Sequence, residues 1–158
     1  MKKPILLLGD GALYVPSDPV RKEELPWIDA VAWDLHDTLL AFRAEWGVGR
    51  AIAAPQIGVR KRLIYMYIDK PVVFINPVLT FPDEERMEVL DDCMSFPHLL
   101  VRVLRHCRCD VQYLDMAWEP RMLRLEGNLA ELIQHEADHL DGVLATMRAV
   151  DERAFVAR

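Results

Sequence analysis

An α+β fold is predicted for this chain, with mostly antiparallel strands around a central helix that carries a His-Glu-x-x-His motif. Two further observations support it. Apolar residues recur at three- and four-residue steps between Ile28 and Trp46, which predicts one long amphipathic helix in the N-terminal part of the chain. Short apolar runs rich in β-branched residues lie between the two helical segments and predict strands.

The bulk composition predicts one folded domain spanning residues 1–158. Hydrophobic residues make up 52% of the chain and charged residues 28%, which is a normal globular mixture. The net charge of -6 and the pI near 5.3 argue against direct nucleic-acid binding. No apolar run approaches the length of a transmembrane span, so no membrane partner is expected. The three cysteines, an odd number without a secretion signal, favour a reducing cytoplasmic setting.

The predicted elements begin with a short strand at Pro4–Leu8. The long helix has Pro26 near its start, and Gly47 is a suitable C-terminal stop. Its apolar stripe is interpreted as core, formed by Ile28, Val31, Ala32, Leu35, Leu39, Phe42 and Trp46.

Further strands are predicted at Arg62–Ile68 and Val72–Ile75, the second ending at a turn formed by Asn76 and Pro77. A longer alternating run at Val101–Tyr113 predicts a half-buried strand or hairpin arm.

The last helix, predicted over about 129–141, carries the most informative motif in the chain. Asn128 and Glu131 resemble a capping box at its start. The motif places His135 and His139 one helical turn apart on one face, with Glu136 beside them, and two imidazoles so spaced can bind one metal ion. The alternative interpretation is a solvated helix face with a Glu–His contact.

A catalytic metal site of this kind needs three protein ligands, and the third must lie upstream. The position six residues after His139, where a third histidine would stand in one common pattern, is Ala145, and Glu152 is the only glutamate that follows. Cys93, beside a turn-like segment, is the best candidate, and a free thiol is the alternative. A thiolate with two imidazoles favours Fe(II), Zn(II), Ni(II) or Co(II) over Mg(II) or Ca(II).

Three segments of the chain resemble the peptide deformylase family, in the family's order and at similar separations. They are GRAIAAPQ at 49–56, DDCMS at 91–95 and QHEADHLDG at 134–142. The resemblance implies a peptide deformylase-like fold and a metallo-amidase that removes the formyl group from N-terminal formyl-methionine of peptides. It also implies one divalent ion, with Fe(II) the usual native metal. The native metal, the oligomeric state and any association with the ribosome stay open.

The resemblance implies a role for each group at the reacting centre. A water bound to the metal attacks the formyl carbon, and Glu136 takes its proton and delivers it to the leaving amine. The side-chain amide of Gln56 and the backbone N–H of Met94 would bind the oxyanion. Without the resemblance, Gln56 could equally be an ordinary loop residue.

The substrate is expected to lie in a small cavity lined by the backbone around Ala51 and Ile52, which excludes the methyl group of an acetyl. The residues expected to contact substrate are Gly49, Ala51, Ile52 and Asp92.

Several positions depart from the family pattern. Ala51 stands where the family has glycine, and Asp91 and Asp92 stand where it has Glu-Gly. Leu100 replaces an arginine often found in the cleft wall, and Trp118 replaces a turn glycine. Asp92 adds a side chain and a charge beside the candidate thiolate, which disfavours anionic groups in the cleft.

These departures leave two alternatives beside the deformylase. One is an amidase of the same chemistry that acts on small N-formyl or N-acyl amino acids. The other is a catalytically weak paralogue that binds metal or peptide. The retained set of Gln56, Cys93, His135, Glu136 and His139 argues against the paralogue, because a binding relic needs no proton shuttle.

Overall fold

The structure is a computed structural model, and it describes all 158 residues of the chain. It contains two α-helices, eight strands and four short 3-10 helices. The α-helices are α1 (Leu25–Trp46) and α2 (Asn128–Leu140). The strands are β1 (Ala51–Ala53), β2 (Leu63–Tyr67), β3 (Pro71–Thr80), β4 (Arg86–Asp92), β5 (Leu99–His106), β6 (Arg108–Leu114), β7 (Pro120–Glu126) and β8 (Phe155–Ala157). The 3-10 helices are Gly11–Tyr14, Lys22–Glu24, Ala54–Ile57 and Ala145–Arg148.

The strands form two antiparallel sheets. One has five strands in the order β1-β2-β3-β6-β7, and the other has three in the order β4-β5-β8. Helix α2 contacts strands of both sheets, β1 most extensively in the first and β5 in the second. The predicted α+β class, with antiparallel strands and a long helix, is therefore confirmed.

Helix α1 forms where the apolar period predicted it. Pro26 lies in its first turn, where a backbone N–H would have no acceptor within the helix. The proline therefore costs the helix no hydrogen bond. The helix ends at Gly47, which adopts the left-handed conformation (φ 72°) that glycine reaches without steric cost. The predicted stripe is buried against β1 and β2 at Ile28, Val31, Leu35, Leu39 and Phe42.

The strand predicted at Pro4–Leu8 is wrong, because this segment is irregular in the structure. The Leu6 N–H donates to the Gln56 carbonyl (2.8 Å), and the Leu8 N–H donates to the Ser95 carbonyl (2.9 Å). The two bonds go to different segments, so no ladder with a single strand forms. The segment instead ties together the two loops that carry Gln56 and Ser95.

The turn predicted at Asn76 and Pro77 is also wrong, because β3 continues through both residues. Asn76 adopts a positive φ of 50°, and the pairing with β6 shifts register between Ile75 and Val78. The irregularity accommodates a proline that cannot donate to the ladder. The Asn76 side chain holds the bend by bonding both backbone polar groups of Val20.

The run at Val101–Tyr113 is two strands in different sheets rather than one. The chain bends at Cys107, between β5 and β6. The side chain of Gln134 fixes this bend, since it accepts from the His106 N–H and donates to the His106 carbonyl, each at 2.9 Å. Strands β1, β4, β7 and β8 had no counterpart among the predicted elements, and β7 is exposed along nearly its whole length.

The capping box predicted for α2 does not form. Gly127, with a φ of 61°, precedes the helix, and no side chain caps it. The Glu131 carboxylate binds Arg50 instead. Gly142 follows the end of α2 with a positive φ of 74°, and a Cβ there would lie 2.6 Å from the Tyr14 carbonyl oxygen. The Gly11–Tyr14 turn can therefore pack directly against the end of α2.

Candidate active site

The three motif segments meet in one cleft of about 450 Å³. Helix α2 supplies one wall, the residues that follow β4 supply a second, and β1 with the Ala54–Ile57 turn supplies a third. The predicted site residues that line this cleft are Gly49, Ala51, Gln56, Asp92, Cys93, Met94, His135 and Glu136. His139 lies one turn further along α2, next to the same cleft.

Three side chains form a compact donor cluster, namely Cys93, His135 and His139. The Cys93 sulfur and a ring nitrogen of each histidine all lie within 4.8 Å of one another. The sulfur is 3.3 Å from Nε2 of His139, and all three side chains are buried. Helix α2 puts the two histidine rings on one face. The loop after β4 brings the Cys93 sulfur to these rings, although Cys93 and His135 are 42 positions apart in the sequence.

Asp91 holds His135 in position. Its Oδ2 accepts from Nδ1 of His135 (3.0 Å) and from Nη2 of Arg105 (2.8 Å). Burial alone would raise the pKa of Asp91, but His135 and Arg105 together lower it to about 2. The carboxylate therefore stays charged and keeps a proton on Nδ1 of His135, so Nε2 is the ring nitrogen left to face the donor cluster.

Arg105 is a site residue that the sequence analysis missed. Its guanidinium is almost fully buried and bridges Asp91 to Asp138, with Nη1 of Arg105 lying 2.6 Å from Oδ2 of Asp138. A signal for it was present, because Arg105 falls on the same face of β5 as the buried Val101 and Val103. A charged residue at an inward position is expected only where it finds a partner.

Replacing Asp91 with Asn is expected to weaken binding of a divalent ion by about 10–100-fold, the usual cost of removing a carboxylate partner from a ligating histidine. The amide would no longer fix the His135 ring by charge, and Arg105 would lose one of its two anions. Competition with a chelator measures the affinity. Asp110→Asn is the matched control, since Asp110 pairs with Arg124 on the surface. An unchanged affinity in Asp91→Asn would contradict this account of Asp91.

Two polar atoms of the His-Glu-x-x-His residues have no partner among the protein groups. They are Oε2 of Glu136 and Nδ1 of His139, and both are buried. Burial raises the pKa of Glu136 to about 7, with His135 acting against the rise. Burial and then the neighbouring His135 hold the pKa of His139 well below its usual value, so its ring is neutral as a metal ligand must be.

Gln56 is held rigidly in the cleft. Its Oε1 accepts from the Ala53 N–H (2.9 Å), while its Nε2 donates to Oγ of Ser95 (3.1 Å) and lies 3.5 Å from the Cys93 sulfur. These bonds leave the amide one orientation, with its NH₂ group beside the donor cluster. Ser95 was not among the predicted site residues, although it closes the DDCMS segment. Met94 lines the cleft, and its side chain packs in the core.

The expected substrate-contacting residues divide into two groups. Gly49, Ala51 and Asp92 line the cleft, and Oδ2 of Asp92 forms an ion pair with Nη2 of Arg158 at 2.7 Å. The Ile52 side chain does not line the cleft, because neighbouring side chains in β1 point to opposite faces and that of Ile52 packs in the core with α1.

Two of the departures from the family pattern lie outside the cleft. Leu100 pairs with β8 at Val156, and Trp118 occupies the turn between β6 and β7 with a positive φ of 62°. Leu100 is therefore not part of the cleft wall, whereas Trp118 does lie in a turn, as the comparison with the family pattern implied. Ala51, Asp91 and Asp92 are the departures that do line it.

A buried set of one thiol and two imidazoles, beside an unpartnered carboxyl group at the end of an open cleft, is the arrangement of a metal-dependent hydrolase. Comparison of the chain with known protein families identifies which kind of metal-dependent hydrolase it is. The family model of polypeptide deformylase matches residues 2–154. The chain therefore belongs to the peptide deformylase family, and it is a hydrolase that acts on an amide bond.

Curated relatives agree along nearly the whole chain. Peptide deformylase 1 of Nitrosomonas europaea is 34% identical over 166 residues, which cover 98% of this chain and 92% of the relative. The peptide deformylase of Treponema pallidum (strain Nichols) is 37% identical over 147 residues, covering 92% of this chain and 86% of the relative. The predicted function, removal of an N-formyl group from nascent peptides, is confirmed at the level of the family.

Solved structures share the fold. The crystal structure of peptide deformylase from Thermotoga maritima matches with a TM-score of 0.86 at 31% identity, covering 96% of this chain and 99% of that one. An Acinetobacter baumannii peptide deformylase with Met-Ala-Ser bound matches with a TM-score of 0.86 at 28% identity, covering 94% and 98%. Another structure of an enzyme from that organism has actinonin bound. No helix of the present chain has the length and apolarity needed to cross a bilayer.

Proposed function

We propose that this chain, as a single domain over residues 1–158, removes the formyl group from N-terminal formyl-methionine of nascent peptides in the cytoplasm. It would hold one divalent ion with Cys93, His135 and His139. The observation that carries the proposal is the donor cluster beside the buried, unpartnered oxygen of Glu136. Association with the ribosome would suit such a substrate and stays a prediction.

The residues of the cluster fit a borderline-soft ion. They supply one sulfur and two imidazole nitrogens within 4.8 Å of one another, and Asp91 supports one of the imidazoles. This donor set suits Fe(II), the proposed native metal, as well as Zn(II), Ni(II) and Co(II). When bound, such an ion supplies positive charge that polarises the formyl carbonyl and makes water more acidic.

Glu136 is proposed to move the proton. A carboxyl group with a pKa of about 7 can take a proton from the attacking water and give it up again at neutral pH. The C–N bond of the formamide then breaks, the leaving amine receives that proton, and formate is released. The carboxyl group of Glu136 is free to do this, because no protein group forms a hydrogen bond or ion pair with it and its Oε2 is buried without a partner.

Gln56 and Met94 are proposed to stabilise the oxyanion. The Gln56 amide is already fixed by Ala53 and Ser95, so its Nε2 needs no reorganisation to donate to a developing negative charge. The backbone N–H of Met94, next to Cys93, would be the second donor. Gly49 and Ala51 would shape the cavity that accepts formyl and excludes larger acyl groups.

One observation favours the amidase for small N-formyl amino acids as a second candidate. Arg43 lines the cleft, and no carboxylate lies within ion-pair distance of it. Its guanidinium donates to the Gly49 carbonyl (2.9 Å) and to the Tyr67 carbonyl (2.5 Å). The free carboxylate of a formyl amino acid could pair with this cation, whereas the corresponding group of a peptide is a neutral amide.

The two candidates are separated by an anaerobic assay of the Fe(II) or Ni(II) protein on formyl-Met-Ala-Ser and on free formyl-methionine. We expect formate release from both, with the higher kcat/KM for the peptide. A higher kcat/KM for free formyl-methionine than for the peptide would favour the amidase over the deformylase. If the protein bound metal but released no formate from either compound, it would be the catalytically weak paralogue. That result would overturn the proposal.

A further inference from the structure

The cleft contains an ion pair that the proposed mechanism does not use. Nη2 of Arg50 lies 2.7 Å from Oε1 of Glu131, and both residues line the same cleft as Cys93, His135 and Glu136. The Glu131 side chain is only 10% exposed, whereas that of Arg50 is 39% exposed. A nearly buried carboxylate in a binding cleft is costly unless it is paired, and Arg50 supplies that partner.

The position of the pair matches the first side chain of a formylated substrate. Glu131 lies one helical turn before His135, and residues so spaced have Cβ atoms about 5–6 Å apart. In the substrate, three bonds separate the formyl carbon from the Cβ of the first residue, a distance of about 4 Å. Its side chain extends outward from there, while later residues lie further away. The first side chain is therefore the part of the substrate that can reach the pair.

The pair has unused hydrogen-bonding capacity. Arg50 donates to Glu131 and, at 3.5 Å, to the carbonyl of Asn128, which leaves most of the five N–H groups of a guanidinium without a protein partner. An apolar side chain that covers these groups removes their water and returns no hydrogen bond. An amide side chain can accept from Arg50 and donate to Glu131. Leu132 and the aliphatic stem of Arg50 still offer apolar contact to methionine.

From this geometry we propose that the Arg50–Glu131 pair is a specificity-determining contact for the first substrate residue, and that it widens the enzyme's acceptance from methionine to polar side chains such as glutamine. The inference rests on the proposed function, since it concerns the substrate of the same cleft.

The test compares formyl-Gln-Ala-Ser with formyl-norleucine-Ala-Ser in the wild type and in the double variant Arg50→Leu/Glu131→Leu. The ratio of kcat/KM values, glutamine over norleucine, is expected to fall about tenfold or more in the variant, the effect of losing one or two hydrogen bonds. The control is Asp83→Leu/Arg108→Leu, which removes a surface ion pair and should leave the ratio unchanged. An unchanged ratio in the Arg50/Glu131 variant would overturn the inference.

A second variant keeps the test decisive if the double variant fails to fold. Glu131→Gln preserves size and leaves Arg50 without its anion. The kcat/KM for formyl-Glu-Ala-Ser relative to formyl-Gln-Ala-Ser should then rise about tenfold, and no rise would overturn the inference. Failure of the proposed function looks different, because the metal-loaded wild type would then release no formate from any of these peptides.

Discussion

Changing Glu136 to Gln is expected to lower kcat by about 10²–10⁴-fold, the contribution typical of a positioned general acid–base group. The substitution keeps the size of the side chain and removes its ability to carry a proton. Because Glu136 is not one of the three clustered donors, the variant should bind its divalent ion as the wild type does. Formate release and metal content measured on the same preparation separate these two effects.

The control for this variant is Glu126→Gln, because Glu126 is an exposed carboxylate at the end of β7. It should retain full turnover. If Glu136→Gln turned over at the wild-type rate with metal bound, Glu136 would have no place in the mechanism. Loss of metal together with turnover would instead assign Glu136 a role in holding the ion.

Changing Cys93 to Ala should release the ion and reduce turnover to background. The thiolate is the softest donor of the cluster and the only one with a negative charge. Losing a carboxylate outside the ligand set already costs about 10–100-fold in affinity. Losing a ligand should therefore cost more than about 100-fold. Equilibrium dialysis against Zn(II), with a formate-release assay, measures both consequences.

The matched control is Cys107→Ala. Cys107 is a free, half-buried cysteine at the bend between β5 and β6, and it is not part of the cluster. It should bind metal and turn over as the wild type does. A Cys93→Ala protein with native metal affinity would show that the sulfur is not a ligand.

The parts of the structure that could be predicted from the sequence are those fixed by local pattern. The apolar stripe of α1 and its glycine stop are properties of consecutive residues, and the spacing of His135 and His139 becomes a shared helix face as soon as the helix forms. Cys93 could be assigned to them because the common third ligands are missing after His139 and a thiol beside a turn-like segment was the best upstream donor, which the family resemblance then supported.

The parts that failed depend on contacts between distant segments. The alternation from Val101 to Tyr113 continues through the bend at Cys107, so the pattern carries no mark of the change of sheet. Glu131 has the spacing of a capping residue but binds Arg50, 81 positions away. The chain at Pro4–Leu8 has strand-like composition, yet its partners are two separate loops. Such outcomes are decided by tertiary context rather than by propensity.

X-ray absorption at the zinc edge of the Zn(II)-loaded protein tests the donor cluster most directly. A site built by Cys93, His135 and His139 predicts one sulfur at about 2.3 Å and two imidazole nitrogens at about 2.0–2.1 Å from the metal. A first shell that contains only nitrogen and oxygen, or a protein that retains no ion after reconstitution, would contradict it.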